Sequence, residues 1–357
     1  MNPMRQLLAV VLFASACGHT EPFSALPSGA IGPLTPPPVA QLTVNSVNDF
    51  RWTSDGSGIL IFTTRPNEQN DLPLLSGNRR KDPLDTCLGL LPAAGGSMTW
   101  QLCDRRLTHF RDSNDVFSAA AVGPDDRLLY VEYIGRPGFP FPVGHEAELW
   151  LSSTREPFAS RRHLLTLYRD NNGRPTVPPD AINWISDLNW TGSNTFLALA
   201  HYLRPDASLN TFGIARGNID ADTTTLSVIA GTQGVAVYSP AESGATVVFV
   251  RPDLTLMSVP VAGGTARTVA TLPPQLGRSI SSLSCQGQLC LVVTGESPNN
   301  GQAVSHVWRL SLATGQVEIA RTYADRVTPD AARLSPDGAH VVIRNGGRLY
   351  LASDLLP

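Results

Sequence analysis

The side chains with the most obvious chemistry in this chain of 357 residues are three histidines, a short basic run and five cysteines. His109, His145 and His201, with Glu146 and Asp187 as carboxylate company, are residue types that hold a divalent metal for hydrolysis or elimination. They are spread over residues 109–201, without the close spacing of a metal motif, so each reads first as a surface or capping histidine. No G-x-S-x-G nucleophile elbow occurs anywhere in the chain. Arg79 and Arg80, followed by Lys81, could meet an acidic surface. Phe139 and Phe141 alternate with prolines in a stiff aromatic tip of the kind that anchors a partner. The reading is therefore of a binding module with no cofactor, and of partner contacts at Arg79, Arg80, Phe139 and Phe141. Metal chemistry at His109, His145 and His201 is the alternative.

The composition agrees with that choice. Charged residues make up 16% of the chain and the formal net charge is −3, so there is no basic surplus to neutralise a phosphate backbone. An apolar content of 42% supplies a real core, and 29 prolines with 30 glycines imply many tight turns.

Residues 1–17, MNPMRQLLAVVLFASAC, place Arg5 ahead of an apolar run too short to span a bilayer. Small residues Ala14, Ser15 and Ala16 then precede Cys17. This end resembles the signal and lipobox of bacterial lipoproteins, with Ala14 where leucine is usual. The resemblance implies export, lipidation at Cys17 and, with Gly18 following, placement at the outer membrane, facing the periplasm or the surface. Residues 18–39 hold Pro22, Pro27, Pro33 and the run at 36–38, which makes them an extended tether of about 3.1 Å per residue.

The elements that must position any site follow from an internal repeat. Its copies are FRWTSDG at 50–56, AAVGPDD at 120–126, LNWTGSN at 188–194, AVYSPAE at 236–242, SLSCQG at 282–287 and ARLSPDG at 332–338. A β-rich run follows each one. Proline presets φ at the second turn position, aspartate bonds its own backbone and glycine accepts positive φ, so every copy predicts a tight hairpin. Strand, Gly-Gly turn, strand patterns at 87–103 and 251–272 supply a third and fourth strand. Six units of four strands over residues 40–357 resemble a TolB-like six-bladed β-propeller. The last unit lacks a fourth strand before Pro357, and residues 41–44 are expected to fill that place and close the ring. The resemblance implies an envelope protein or cell-wall partner, reached through one propeller face. It also sharpens the alternative to a propeller hydrolase or lyase with a metal in the central channel, acting on a sugar-derived or lactone substrate.

The hairpin reading also sorts the cysteines. Cys87 and Cys103 stand equally far from Gly95 at the centre of a turn, and Cys285 and Cys290 bracket the turn of unit five. Directly opposed cross-strand positions lie about 4.5–5.5 Å apart, so two disulfides are expected. The long connections, 65–86, 104–115, 134–146, 169–182, 203–210 and 295–304, all belong to one propeller face, which is the expected binding face. The Trp52 and Trp190 positions match between units one and three and read as inter-blade core.

Replacing Cys17 by Ala is expected to abolish incorporation of labelled fatty acid and to move the chain from the membrane pellet to the soluble fraction. Unchanged labelling would remove the lipid anchor.

Overall fold

The computed structural model describes residues 47–66, 84–93, 98–103, 119–134, 146–155, 160–167, 181–203, 210–273, 279–296, 303–324, 328–352 and 355–356. They form a six-bladed β-propeller of antiparallel sheets with almost no helix. Blade 1 comprises β1 (Val47–Trp52), β2 (Gly58–Pro66), β3 (Leu84–Pro92) and β4 (Thr99–Cys103). Blade 2 comprises β5 (Ala119–Val122), β6 (Arg127–Ile134), β7 (Glu146–Ser153) and β8 (Arg162–Thr166). Blade 3 runs through β9 (Ile182–Trp190), β10 (Thr195–Leu203), β11 (Asn210–Ile219) and β12 (Thr224–Val228). Blade 4 runs through β13 (Val237–Ala241), β14 (Thr246–Val250), β15 (Thr255–Pro260) and β16 (Arg267–Thr271). Blade 5 has β17 (Ser279–Gln286), β18 (Leu289–Glu296), β19 (Val304–Ser311) and β20 (Val317–Ala324). Blade 6 shows three strands among the described residues: β21 (Ala331–Leu334), β22 (Val341–Asn345) and β23 (Arg348–Leu351).

The motif turns form as their chemistry dictates. In blade 1 the Thr53 hydroxyl donates to Asp55 Oδ1 (2.6 Å), and that oxygen also accepts the Ser57 N–H (3.0 Å). Gly56 sits at φ 73°, where a Cβ would be strained. Blade 6 repeats the arrangement with Ser335, Asp337 and Gly338, again at φ 73°. Each turn thus satisfies part of its own backbone locally, while the Ser54 N–H reaches Val122 O of the next blade (3.1 Å).

A four-stranded sheet buries its two faces only by packing on neighbours, and six apolar clusters do so, one at each blade interface. Leu60, Phe62 and Leu88 of blade 1 meet Ala120, Leu128 and Tyr130 of blade 2. The ring closes where Phe50 and Ile61 of blade 1 pack on Ala331, Val342 and Leu349 of blade 6. Two hydrogen bonds reinforce that seam: the Val47 N–H donates to Gly347 O (2.9 Å) and Trp52 Nε1 to Arg333 O (3.2 Å). The expected closing strand at 41–44 lies outside the described residues, as do the signal segment, Cys17 and the tether.

Cys285 and Cys290 are opposite one another in the β17–β18 register and joined by a disulfide. Cys87 and Cys103 are likewise register partners across β3 and β4, although their side chains are outside the described set. The long connections are shorter than the sequence implied. Arg65 pairs with Asp85, Ile134 with Glu146, Leu203 with Asn210 and Gly295 with Ser305, so those hairpin ladders continue into residues read as loop. Polar composition hid this, because a ladder is held by backbone groups that every residue carries.

Gly123 shows how tightly the interfaces close. A Cβ there would lie 2.5 Å from the Trp190 indole of the next blade. Gly123→Ala is expected to destabilise the fold by about 1–3 kcal/mol through overpacking, measured by chemical denaturation of the purified chain. An effect within error would mean that the indole shifts freely.

Candidate functional site

The innermost strands of all six blades surround a central channel, and their turn-side ends enclose a cavity of about 730 Å³. It opens on the face of the tight motif turns. The walls come from the third motif position of each unit: Trp52 in blade 1, Val122 in blade 2, Trp190 in blade 3, Tyr238 in blade 4, Ser284 in blade 5 and Leu334 in blade 6. Trp52 and Trp190 line the cavity and also bind the adjacent blade, Trp190 through Nε1 to Ala121 O (3.1 Å). They combine the inter-blade role read from the sequence with an exposed face in the cavity.

At the inner end lies a charged network that motif reading missed. Arg51, on β1, is 6% exposed. Its Nη2 contacts Asp49 Oδ2 at 3.0 Å and reaches past blade 2 to an ion pair with Asp187 of blade 3. The innermost strand of blade 2 is only Ala-Ala-Ala-Val, which leaves room for a long side chain to pass. Asp187 reaches its place because β9 carries a bulge there: Asn189 pairs with Leu197, Ser186 with Leu199, and Asp187 takes φ 57°. Arg333, from blade 6, bonds Asp49 Oδ1 at 3.2 Å. Tyr238, from blade 4, donates to the Asp187 carbonyl, and Asn189 Nδ2 donates to the Tyr238 hydroxyl (3.0 Å). Four blades are tied together by two guanidiniums, two carboxylates and a phenol.

The electrostatics follow from that packing. Burial alone would raise the Asp49 carboxyl, but the Arg333 and Arg51 guanidiniums outweigh it and hold it below the ordinary value. Burial would likewise lower Arg51, and the Asp187 and Asp49 carboxylates more than compensate. Burial first, and the Asp187 charge second, push the Tyr238 phenol well above its usual range, so it stays a neutral donor. Arg51 and Arg333 border the cavity together with the phenol, whereas Asp49 and Asp187 are not among the cavity-lining residues. The inner end of the cavity is thus rich in N–H donors, although the two guanidiniums and the two carboxylates behind them sum to no net charge.

Most of the residues singled out from the sequence are not among the described ones. Arg79, Arg80, Phe139, Phe141, His109 and His145 lie outside the described residues, as do the tips of the connections expected to form the binding face. His201 is described and sits on β10 opposite Trp184 and Phe212, with ring centroids 6.3 and 5.1 Å away. Burial lowers its imidazole below the ordinary value. Asp187, read as possible company for the histidines, faces Arg51. Among the described residues no three of His, Cys, Asp and Glu gather in a metal-binding group. His163 stacks edge-on against Trp150 (5.1 Å), and His306, unremarked in the sequence, is buried beside Thr322 (3.0 Å). One signal for the network was present: the second motif position is arginine in units one and six alone, which become neighbours when the ring closes.

No protein-family model and no curated protein matches the chain. Solved structures resemble it at the level of the fold. The WD40 repeats of RRP9 share 13% identity, covering 90% of this chain and 92% of that one, with a TM-score of 0.45. A gluconolactonase from Xanthomonas campestris shares 13%, covering 86% and 85%, with a TM-score of 0.47. An oligogalacturonate lyase from Vibrio parahaemolyticus shares 11%, covering 86% and 89%, with a TM-score of 0.49.

Two outcomes test the network. Asp187→Ala leaves Arg51 buried without its main counter-charge and is expected to cost about 3–5 kcal/mol in urea unfolding. A loss below about 1 kcal/mol would show the pair to be solvated like a surface ion pair. For pH, a depressed folded value means that the Asp49 contribution is complete above the unfolded carboxylate range and is lost as pH falls through the folded value. Asp49→Asn is therefore expected to lower stability at neutral pH and to flatten the acid limb of the stability profile. A parallel acid limb would contradict the assignment.

Proposed function

We propose that this protein is a non-catalytic binding module of the bacterial cell envelope, exported, held to the outer membrane through a lipid on Cys17, and offering a propeller face to a protein or cell-wall partner. The observation that carries the reading is the central cavity. All six blades contribute to it, and its wall carries hydroxyl, amide and indole groups beside two guanidiniums. Such a surface recognises hydrogen-bonding partners by shape and donor pattern. The carboxylates behind the cavity, Asp49 and Asp187, are paired to Arg51, and the Tyr238 phenol that lines it is a neutral hydrogen-bonding group.

The binding role falls to the cavity because residues of all six blades converge on it. A channel metal enzyme using His201 would need that ring to turn away from Trp184 and Phe212.

The test is cross-linking in intact cells followed by affinity capture, comparing the native chain with Ser54→Trp and Gln286→Trp, which crowd the mouth from blades 1 and 5. A partner captured by the native chain and lost in both variants is the expected result. Capture unchanged by both would remove the cavity from the binding surface.

A further inference from the structure

Arg51 uses Nη2 for both of its carboxylates. Its Nε and Nη1, and the Nε of Arg333, are buried and have no hydrogen-bond acceptor among the described residues. A buried donor left without an acceptor costs about 1–3 kcal/mol, more when it is charged, so three in one place are not explained by the stability of the fold. They belong to two side chains that border the same cavity, and the carboxylates that neutralise them do not border it. Trp52 and Trp190 flank the approach with planar apolar surface, and Ser239, Ser284 and Asn189 add neutral hydrogen-bonding groups. The acidic residues Asp55 and Asp125 sit on the exposed turns at the mouth, and Asp55 is occupied by Thr53 and Ser57.

We infer that the inner end of the central cavity is an oxyanion site, and that the ligand or partner enters carboxylate first, with Arg51 and Arg333 as its recognition residues. The inference rests on the cavity being the binding surface and adds the chemical class of what it takes. A carboxylate supplies the acceptors that the guanidiniums lack, and charge-assisted bonds of this kind are stronger than neutral ones. A monoanion suits the place better than a phosphate dianion, because Asp49 and Asp187 leave the network formally neutral and repel a second negative charge. The carboxylate could be carried by a free small acid or by the end of a chain, and a cavity of about 730 Å³ has room for either.

The experiment uses the full chain and three probes: succinate, N-acetyl-triglycine with its free carboxylate, and the same peptide as its C-terminal amide. Binding is read from the thermal midpoint and from tryptophan fluorescence, to which Trp52 and Trp190 contribute. The expected result is a saturable shift with at least one carboxylate probe, and binding of the amide at least tenfold weaker. Stronger binding of the peptide than of succinate identifies a chain end as the source, and the reverse identifies a free acid. Arg333→Gln, chosen because Arg333 is less buried than Arg51, is expected to weaken the carboxylate response at least tenfold while leaving the circular dichroism spectrum unchanged. Equal response to acid and amide, or no saturable response to either carboxylate in the native chain, overturns the inference without needing any variant. If the carboxylate response is absent while Ser54→Trp and Gln286→Trp still abolish partner capture, the oxyanion site falls and the binding role of the cavity stands.

Discussion

Everything in this structure depends on a sheet having two faces and each blade being able to cover only its neighbour's. A single four-stranded blade would leave an apolar face in water, and so would an open row of six. Closing the row into a ring removes both end faces at once. The seam between blades 1 and 6 is therefore the contact on which the others rely. Phe50 and Ile61 fill it against Val342 and Leu349, and the Val47 and Trp52 N–H groups bond across it. Apolar surface is buried there between segments at opposite ends of the chain, so the closure entropy is large and is met only when the whole ring is assembled.

Ring closure also creates the central channel and brings polar residues into it. The innermost strands converge on an axis where six side chains compete for little space, and blade 2 answers with alanines. The space it leaves is crossed by Arg51, whose charge is then neutralised from blades 1 and 3, while Arg333 shares Asp49 from blade 6. A buried ion network of this sort is weak as a source of stability but strict about geometry, since removing one member strands another. Asp187 illustrates the strictness: it adopts a left-handed backbone at a bulge, a conformation that costs energy for a residue with a Cβ. The strain is recovered by aiming the carboxylate at Arg51 and the carbonyl at Tyr238.

The sequence spoke clearly wherever the physics is local. Turn chemistry at 53–57 and 335–339 is written in Ser, Thr, Asp and Gly, and the structure shows those residues bonding within their own turns. The opposition of Cys285 to Cys290 follows from a hairpin whose turn lies between them. Loop lengths were read less well, since Arg65, Ile134 and Gly295 look like connection but continue the ladders of their strands. Of the three histidines that could bind a metal, only His201 is described, packed against rings, and the described charged groups that converge on the axis are arginine and aspartate, with tyrosine beside them.

By itself the sequence determined the repeat, the number of blades, the antiparallel hairpins and the cysteine register, because each depends on residues close together in the chain. The charged network and the cavity were decided only by the tertiary structure. Arg51, Asp187, Tyr238 and Arg333 are separated by between about fifty and nearly three hundred residues, and nothing local marks them as partners. They meet because closure turns positions in different repeats into neighbours around one axis. Which pairs then form is settled by the room that small side chains leave and by a single bulge in β9, where one extra residue re-aims a carboxylate.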